Sequence, residues 1–214
     1  DLEKFSPGDD AWFRRRYGLG DCFVCIYAGT IGMAAGLEVV IGAAVQVKAA
    51  GRKDIRFVLA GDGADLERMR AAVERCNLDN VVITGRLAKE EVIRALSACN
   101  ACLVHLKRTE LFRAVIPSKI YEAAAMARPI ILGVKGKAAE LVEGHEAGIC
   151  IEPENPRQLA EAVIRLADEP ELARNLGRNG RERLAVKFDY NRLAEDYLQI
   201  LSGVLRDRAL ASLS

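Results

Sequence analysis

Six short apolar runs recur along the 214-residue chain, and a stretch of helical periodicity or a turn follows each, which leaves few folds open. The runs are Phe23–Ala28, Ile55–Ala60, Asn80–Thr84, Ala101–His105, Pro129–Gly133 and Gly148–Ile151. Most are apolar throughout rather than at alternate residues, as strands covered on both faces require. Helical patterns at Leu37–Ala50, Ala64–Cys76, Lys89–Cys99, Ser118–Ala127 and Lys137–Glu143 fill the gaps, with Gly61-Asp62-Gly63 as a turn signal. The pattern predicts an α/β, doubly wound parallel sheet of about six strands. Three further helices, Pro156–Ala167, Pro170–Val186 and Tyr190–Arg206, have no strand after them; Asn155 and Asp189 are their N-cap candidates. With no internal repeat or low-complexity linker, residues 1–187 read as one domain and 188–214 as a helical C-terminal extension.

Half the residues are apolar, 29% are charged and the net charge is +1, which describes an ordinary globular domain. That balance lacks the concentrated basic surface of a nucleic-acid binder. The longest apolar stretches fall far short of the roughly 20 residues that cross a bilayer, so no transmembrane segment is read. The first residues lack the basic and apolar regions of a secretory leader, and a cytoplasmic location is expected. Two of the six cysteines form Cys22-x-x-Cys25 and two form Cys99-x-x-Cys102, spacings seen in zinc sites. Both pairs lie in or beside strand-like runs, where residues three apart point to opposite faces. They are read as small buried thiols, with no metal.

In a sheet of this kind ligands bind beyond the carboxyl ends of the strands, so the following loops carry the candidates. After the first strand, the glycines of Gly29-Thr30-Ile31-Gly32 let backbone approach a ligand, and the start of the next helix favours an anion. The spacing is not the dinucleotide fingerprint, and Gly61 stands where that motif has an acid. Gly61 and Gly63 make a tight turn with a possible polar contact. The fifth crossing, Pro117-Ser118-Lys119-Ile120-Tyr121-Glu122, says most. Pro117 stops the preceding loop, Ser118 is placed to cap a helix, and Lys119 with the first-turn amides suits a diphosphate. Glu122, one turn after Ser118, could accept both hydrogen bonds of a ribose diol. A capping serine followed by solvated Lys and Glu remains the alternative. Of lower rank are His105, an acid or base if it reaches the cleft, and the basic loop Lys107, Arg108 and Arg113. The loop of Lys135 and Gly136 opens a helix and could face sugar or pyrophosphate. His145 and Arg14-Arg15-Arg16 read as solvated surface.

The segment PSKIYEAAAMARPII resembles the nucleotide-binding signature of the group 1, family-4-type glycosyltransferases, E-G-F-G-L-P-x-x-E-A-M-A-x-G-x-P-V-I. Glu122 and Pro129 keep the family's seven-residue spacing. The variant P-S-K-x-x-E is similar to the subgroup that transfers acetamido sugars in surface-polysaccharide synthesis. DLEKFSP, YAGTIG and VLAGDGADLERMRA resemble, in family order, its D-x-x-x-F-x-P, Y-x-G-R-L and G-x-G segments. The resemblance covers nearly the whole chain and implies the second of two facing Rossmann-like domains (a GT-B fold). That domain binds a nucleotide-diphosphate sugar, with UDP the expected nucleotide, for transfer with retained anomeric configuration and without a metal or other cofactor. It further implies Glu122 on the ribose, Ser118 and Lys119 on the diphosphate with the Gly29–Gly32 loop against it, and Arg86 at the base or ribose. The partner implied is an N-terminal acceptor-binding domain holding a sugar, lipid-linked or polysaccharide acceptor, the parent enzyme being cytoplasmic or peripheral at a membrane. The isolated domain is then expected to be inactive, and the helix Tyr190–Arg206 to cross to the other domain with Leu193, Tyr197 and Leu201 partly exposed.

Three departures stand against that pattern. Thr30 and Ala35 replace the family's basic pair, Ala114 falls where the earlier glutamate stands with Glu110 as the nearest acid, and Ala127-Arg128 replaces a glycine. Two other functions fit the same residues: half of a nucleotide-sugar epimerase, or a nucleotide-binding domain without chemistry.

Overall fold

The computed structural model describes residues 2–6, 8 and 11–211, with side chains through Gly203. Asp1 and Pro7 of the leading motif, and the end of the extension at 212–214, lie outside the described residues. The described residues build a six-stranded parallel sheet in the order β3-β2-β1-β4-β5-β6. Its strands are β1 (Phe23–Ala28), β2 (Ile55–Ala60), β3 (Val81–Gly85), β4 (Ala101–His105), β5 (Ile130–Gly133) and β6 (Gly148–Cys150). The order reverses between β1 and β4, and a crevice opens there at the carboxyl edge.

Strand residues alternate between two cores, as the two-residue period demands. Cys25, Tyr27, Phe57, Leu59, Leu103 and Ile131 face one, with α2 (Glu38–Ala49), α3 (Leu66–Arg75) and α7 (Pro156–Asp168) over them. Val24, Ile26, Val58, Val104, Ile130 and Leu132 face the other. That side is covered by α1 (Ala11–Arg16), α4 (Lys89–Ala98), α5 (Lys119–Ala125) and α6 (Lys137–Gly144). Strands buried on both faces explain why the runs lack polar alternation.

The C-terminal part departs from expectation. In place of one helix from Pro170 to Val186, α8 (Pro170–Asn179) gives way to a π-helical turn, Gly180–Ala185. A Cβ at Gly177 would strike the Ala127 carbonyl, and one at Gly180 would lie 3.5 Å from the Ala124 Cα. The helix widens where its small residues press on α5. Arg181 of this turn donates to the Ala125 carbonyl and pins the end of α5. The last helix, α9 (Tyr190–Ala211), has every described side chain exposed. Asn155 caps α7 by accepting from the Gln158 amide at 3.1 Å, and Asp189 accepts from the Asn191 amide at 3.0 Å.

Two surface readings need correcting. Arg14 is not solvated: it donates to the Gly20, Cys22 and Ala98 carbonyls and to Asn100 Oδ1, at 2.6–2.9 Å, and ties α1 to the amino ends of the strands. His145 is partly buried, its Nδ1 2.8 Å from the Leu141 carbonyl. The geometry argued for the second cysteine pair also fails. Cys99 sits at the end of α4, outside the strand, so its Sγ lies 3.6 Å from that of Cys102. Both thiols are buried, and burial pushes Cys25 beside them well above its ordinary range. No group of three or more His, Cys, Asp or Glu side chains placed to hold a metal ion occurs among the described residues. No helix there is long and apolar enough to cross a membrane.

Candidate functional site

The loops leaving β1 and β2 interlock at the carboxyl edge. The Gly29 amide donates to the Ala60 carbonyl at 2.8 Å, Ile31 to Asp62 at 2.9 Å, and Asp65 back to Ile31 at 3.0 Å. Gly61 and Gly63 have φ of 152° and 154°, and a Cβ on either would run into the carbonyl of Gly29 or Ile31. The close passage of two loops therefore explains these glycines, with or without a ligand. Gly32 opens a 3-10 turn, Met33–Ala35, and α2 begins only at Glu38, whose carboxylate pairs with Arg68 at 2.5 Å. That helix starts within one residue of the Leu37 expected, and between it and the glycine loop the left-handed Gly36 redirects the chain.

Lys119 bridges the crevice. Its Nζ would lie 2.5 Å from a Cβ at Gly29, and it stands 5.4 Å from the centre of the Tyr27 ring. An ammonium over an aromatic face is attracted to the ring's quadrupole by about 0.5–2 kcal/mol. The phenol donates to the Thr30 carbonyl at 2.8 Å, and burial pushes its pKa up to about 12. Lys119 is partly buried and has no ion-pair partner among the described residues. Glu122, one turn further along α5, has its carboxyl pKa raised by burial, an effect that Lys119 opposes. Ser118 makes no capping bond: it has helical angles itself, and the Ile120 and Tyr121 amides that it would cap donate to the Pro117 and Ser118 carbonyls instead. Pro117 is partly buried in front of it.

The candidates spread over three cavities that share no lining residue. Gly29, Thr30, Gly61, Gly63 and Arg86 line one of about 470 Å³ above β1, β2 and β3. Lys107, Lys135 and Gly136 line a second, of about 590 Å³, above β4, β5 and β6, with Arg108, Phe112, Arg113 and Glu152. Ser118 and Glu122 line a third of about 340 Å³ with Phe5, Tyr121, Phe188 and Tyr190.

His105 is withdrawn from the acid–base candidates. It is buried, its Nε2 accepts from the Glu154 amide at 2.9 Å, and its Nδ1 therefore donates to the Ala35 carbonyl at 2.7 Å. Burial lowers its pKa, so it stays neutral and ties the loop after β6 to the loop after β1. Glu154 and Glu152, which the sequence did not single out, complete that tie: Glu154 accepts from the Arg108 amide at 2.9 Å, and Glu152 pairs with both Arg108 and Lys135. Tyr27 was also missed, although its place before Ala28-Gly29 at a strand's end was a signal.

The family's sequence profile, described as glycosyl transferases group 1, matches residues 13–183. The chain belongs to the group 1 glycosyl transferases. It is 31% identical over 203 residues to the alpha-D-kanosaminyltransferase of Streptomyces kanamyceticus, covering 94% of this chain and 50% of that protein. It superposes on the crystal structure of Anabaena Alr3699/HepE in complex with UDP with a TM-score of 0.83 at 19% identity, covering 95% of this chain and 55% of the other. The C-terminal domain of the group 1 protein LpcC from Francisella tularensis matches with a TM-score of 0.72 at 20% identity, over 89% of this chain and 98% of that one. The chain spans about half the length of the curated relatives it matches. It is thus a group 1 domain with the Rossmann-like half of the GT-B fold.

Within that family, the structure accounts for two of the departures. Ala127 takes φ 51°, the left-handed position after α5 where a glycine is at ease, and Arg128 donates to the Leu96 and Ser97 carbonyls and closes the end of α4. Where Thr30 and Ala35 leave the β1 loop without cations, Lys119 reaches it from across the crevice. Ala114 and Glu110 are both exposed; Glu110 lines the rim of the cavity above β4, β5 and β6 and faces Arg113 at 3.3 Å.

Proposed function

We propose that this group 1 domain is the donor-binding half of a retaining glycosyltransferase that takes a UDP-linked sugar. The sugar passes to an acceptor held by a second, N-terminal domain, in surface-polysaccharide or glycoconjugate synthesis on the cytoplasmic side of a membrane. One observation carries the reading: the Lys119 ammonium, without an ion-pair partner among the described residues, is held over Gly29 at the point where strand order reverses, with Glu122 one turn behind it. The UDP complex of the Anabaena protein, on the same fold, supports it.

In this reading Glu122 accepts hydrogen bonds from the ribose hydroxyls, and Arg86 lies on the base side. Lys119, with the Ser118 hydroxyl and nearby amides, stabilises charge on the departing diphosphate in place of a metal ion. The acceptor is held by the other half, so the domain alone transfers little or no sugar. The test supplies the polypeptide bearing this domain and its N-terminal half with UDP-sugars and candidate acceptors, and follows products by NMR. UDP release that needs an acceptor, with the anomeric configuration kept, supports the proposal. An altered sugar formed without acceptor would show an epimerase instead.

A further inference from the structure

The cavity above β4, β5 and β6 differs in charge from its neighbour. Lys107, Arg108, Arg113 and Lys135 face two carboxylates, Glu110 and Glu152, leaving an excess of two positive charges. The cavity above β1, β2 and β3 has Arg86 against Asp62 and no excess. Glu152 is shared by Arg108 and Lys135, and Arg113 holds Glu110 only at 3.3–3.4 Å. Lys107, partly buried, has no ion-pair partner among the described residues.

The backbone that carries these cations is pinned on several sides. The Lys107 amide donates to the Ala34 carbonyl at 2.9 Å, which fixes it against the glycine loop that Lys119 overhangs. Gly136, at φ 75°, lets the β5 loop press on the Arg113 carbonyl, where a Cβ would collide. Glu154 holds the Arg108 amide from the other side.

A nucleotide sugar is a linear ligand of base, diphosphate and sugar. With its diphosphate at Lys119 and its base toward Arg86, its sugar reaches across the crevice into the cavity of about 590 Å³, which is ample for a hexose. Cations around a sugar's hydroxyl face gain little from a neutral ring but form charge-assisted bonds with a carboxylate. We propose that the transferred sugar is anionic, a hexuronate, and that Lys107 and Lys135 select its carboxylate. The inference rests on the nucleotide-sugar reading above.

The test titrates the chain with UDP, UDP-glucose and UDP-glucuronate, which differ at the sugar only by CH2OH against COO⁻, at fixed ionic strength. The expectation is that UDP-glucuronate binds about tenfold tighter than UDP-glucose, and that the ratio falls toward one in Lys107→Gln and in Lys135→Gln. Binding of UDP with the two sugars within twofold of each other overturns the anionic-sugar inference and leaves the nucleotide reading standing. A preference kept in both variants overturns the roles of the two lysines. No binding of any of the three overturns the nucleotide reading and this inference with it.

Discussion

Glu122 is kept in a costly state by its surroundings. Burial raises its folded pKa above the unfolded value, so its contribution to stability is present below about pH 4.5 and is lost as pH rises through the folded pKa. At neutral pH the ionised carboxylate therefore works against folding, with Lys119 offsetting part of the cost. Glu122→Gln is expected to raise the melting temperature of the ligand-free protein while weakening UDP binding about tenfold or more; a lower melting temperature in calorimetry would show that the charge is structural instead. Ala127 is a second residue in a disfavoured state. A left-handed alanine costs about 1–2 kcal/mol, and glycine returns part of that through its freer unfolded chain. Ala127→Gly is expected to add about 0.5–1 kcal/mol in urea unfolding, and a loss of stability would contradict the account. Both residues were visible in the sequence, but only the backbone angle and the burial reveal what they cost.

Among the elements, legibility followed locality. β1, β2 and β4 lie where their apolar runs place them, because strands buried on both faces write a continuous signal. The π-turn after α8 was not legible, since it answers to a neighbour distant in sequence, α5. The same holds for the site. The glycines, Lys119 and Glu122 announced themselves, whereas the tie between the β4 and β6 loops depends on His105 and Glu154, 49 residues apart. Protonating His105 would put a second hydrogen against the Glu154 amide. Its folded pKa is lowered, so the stability it contributes is full above the unfolded value of about 6.5 and is lost as pH falls from there toward the folded pKa. Urea unfolding at pH 7.5 and pH 5 is expected to show a smaller acid loss in His105→Gln than in the parent chain. Equal losses would remove His105 from the latch.

At the scale of the molecule, a topological switch puts three loop pairs along one edge and lets one helix, α5, deliver a cation to the loop opposite. Arg181 and Arg128, drawn into carbonyl clusters at the ends of α5 and α4, hold that helix in place. Every described side chain of α9 stays exposed, including Tyr197 at 62% and Leu201 at 41%. The chain spans about half of its curated relatives. The central claim is that the carboxyl edge of this sheet grips a nucleoside diphosphate through Lys119 and Glu122. Its most direct test is calorimetric titration with UDP, with GDP as comparator, of the parent chain, Lys119→Ala and Glu122→Ala. The account predicts saturable binding of UDP that both substitutions weaken about tenfold or more; folded parent protein that binds neither nucleotide, or variants that bind UDP as the parent does, would contradict it.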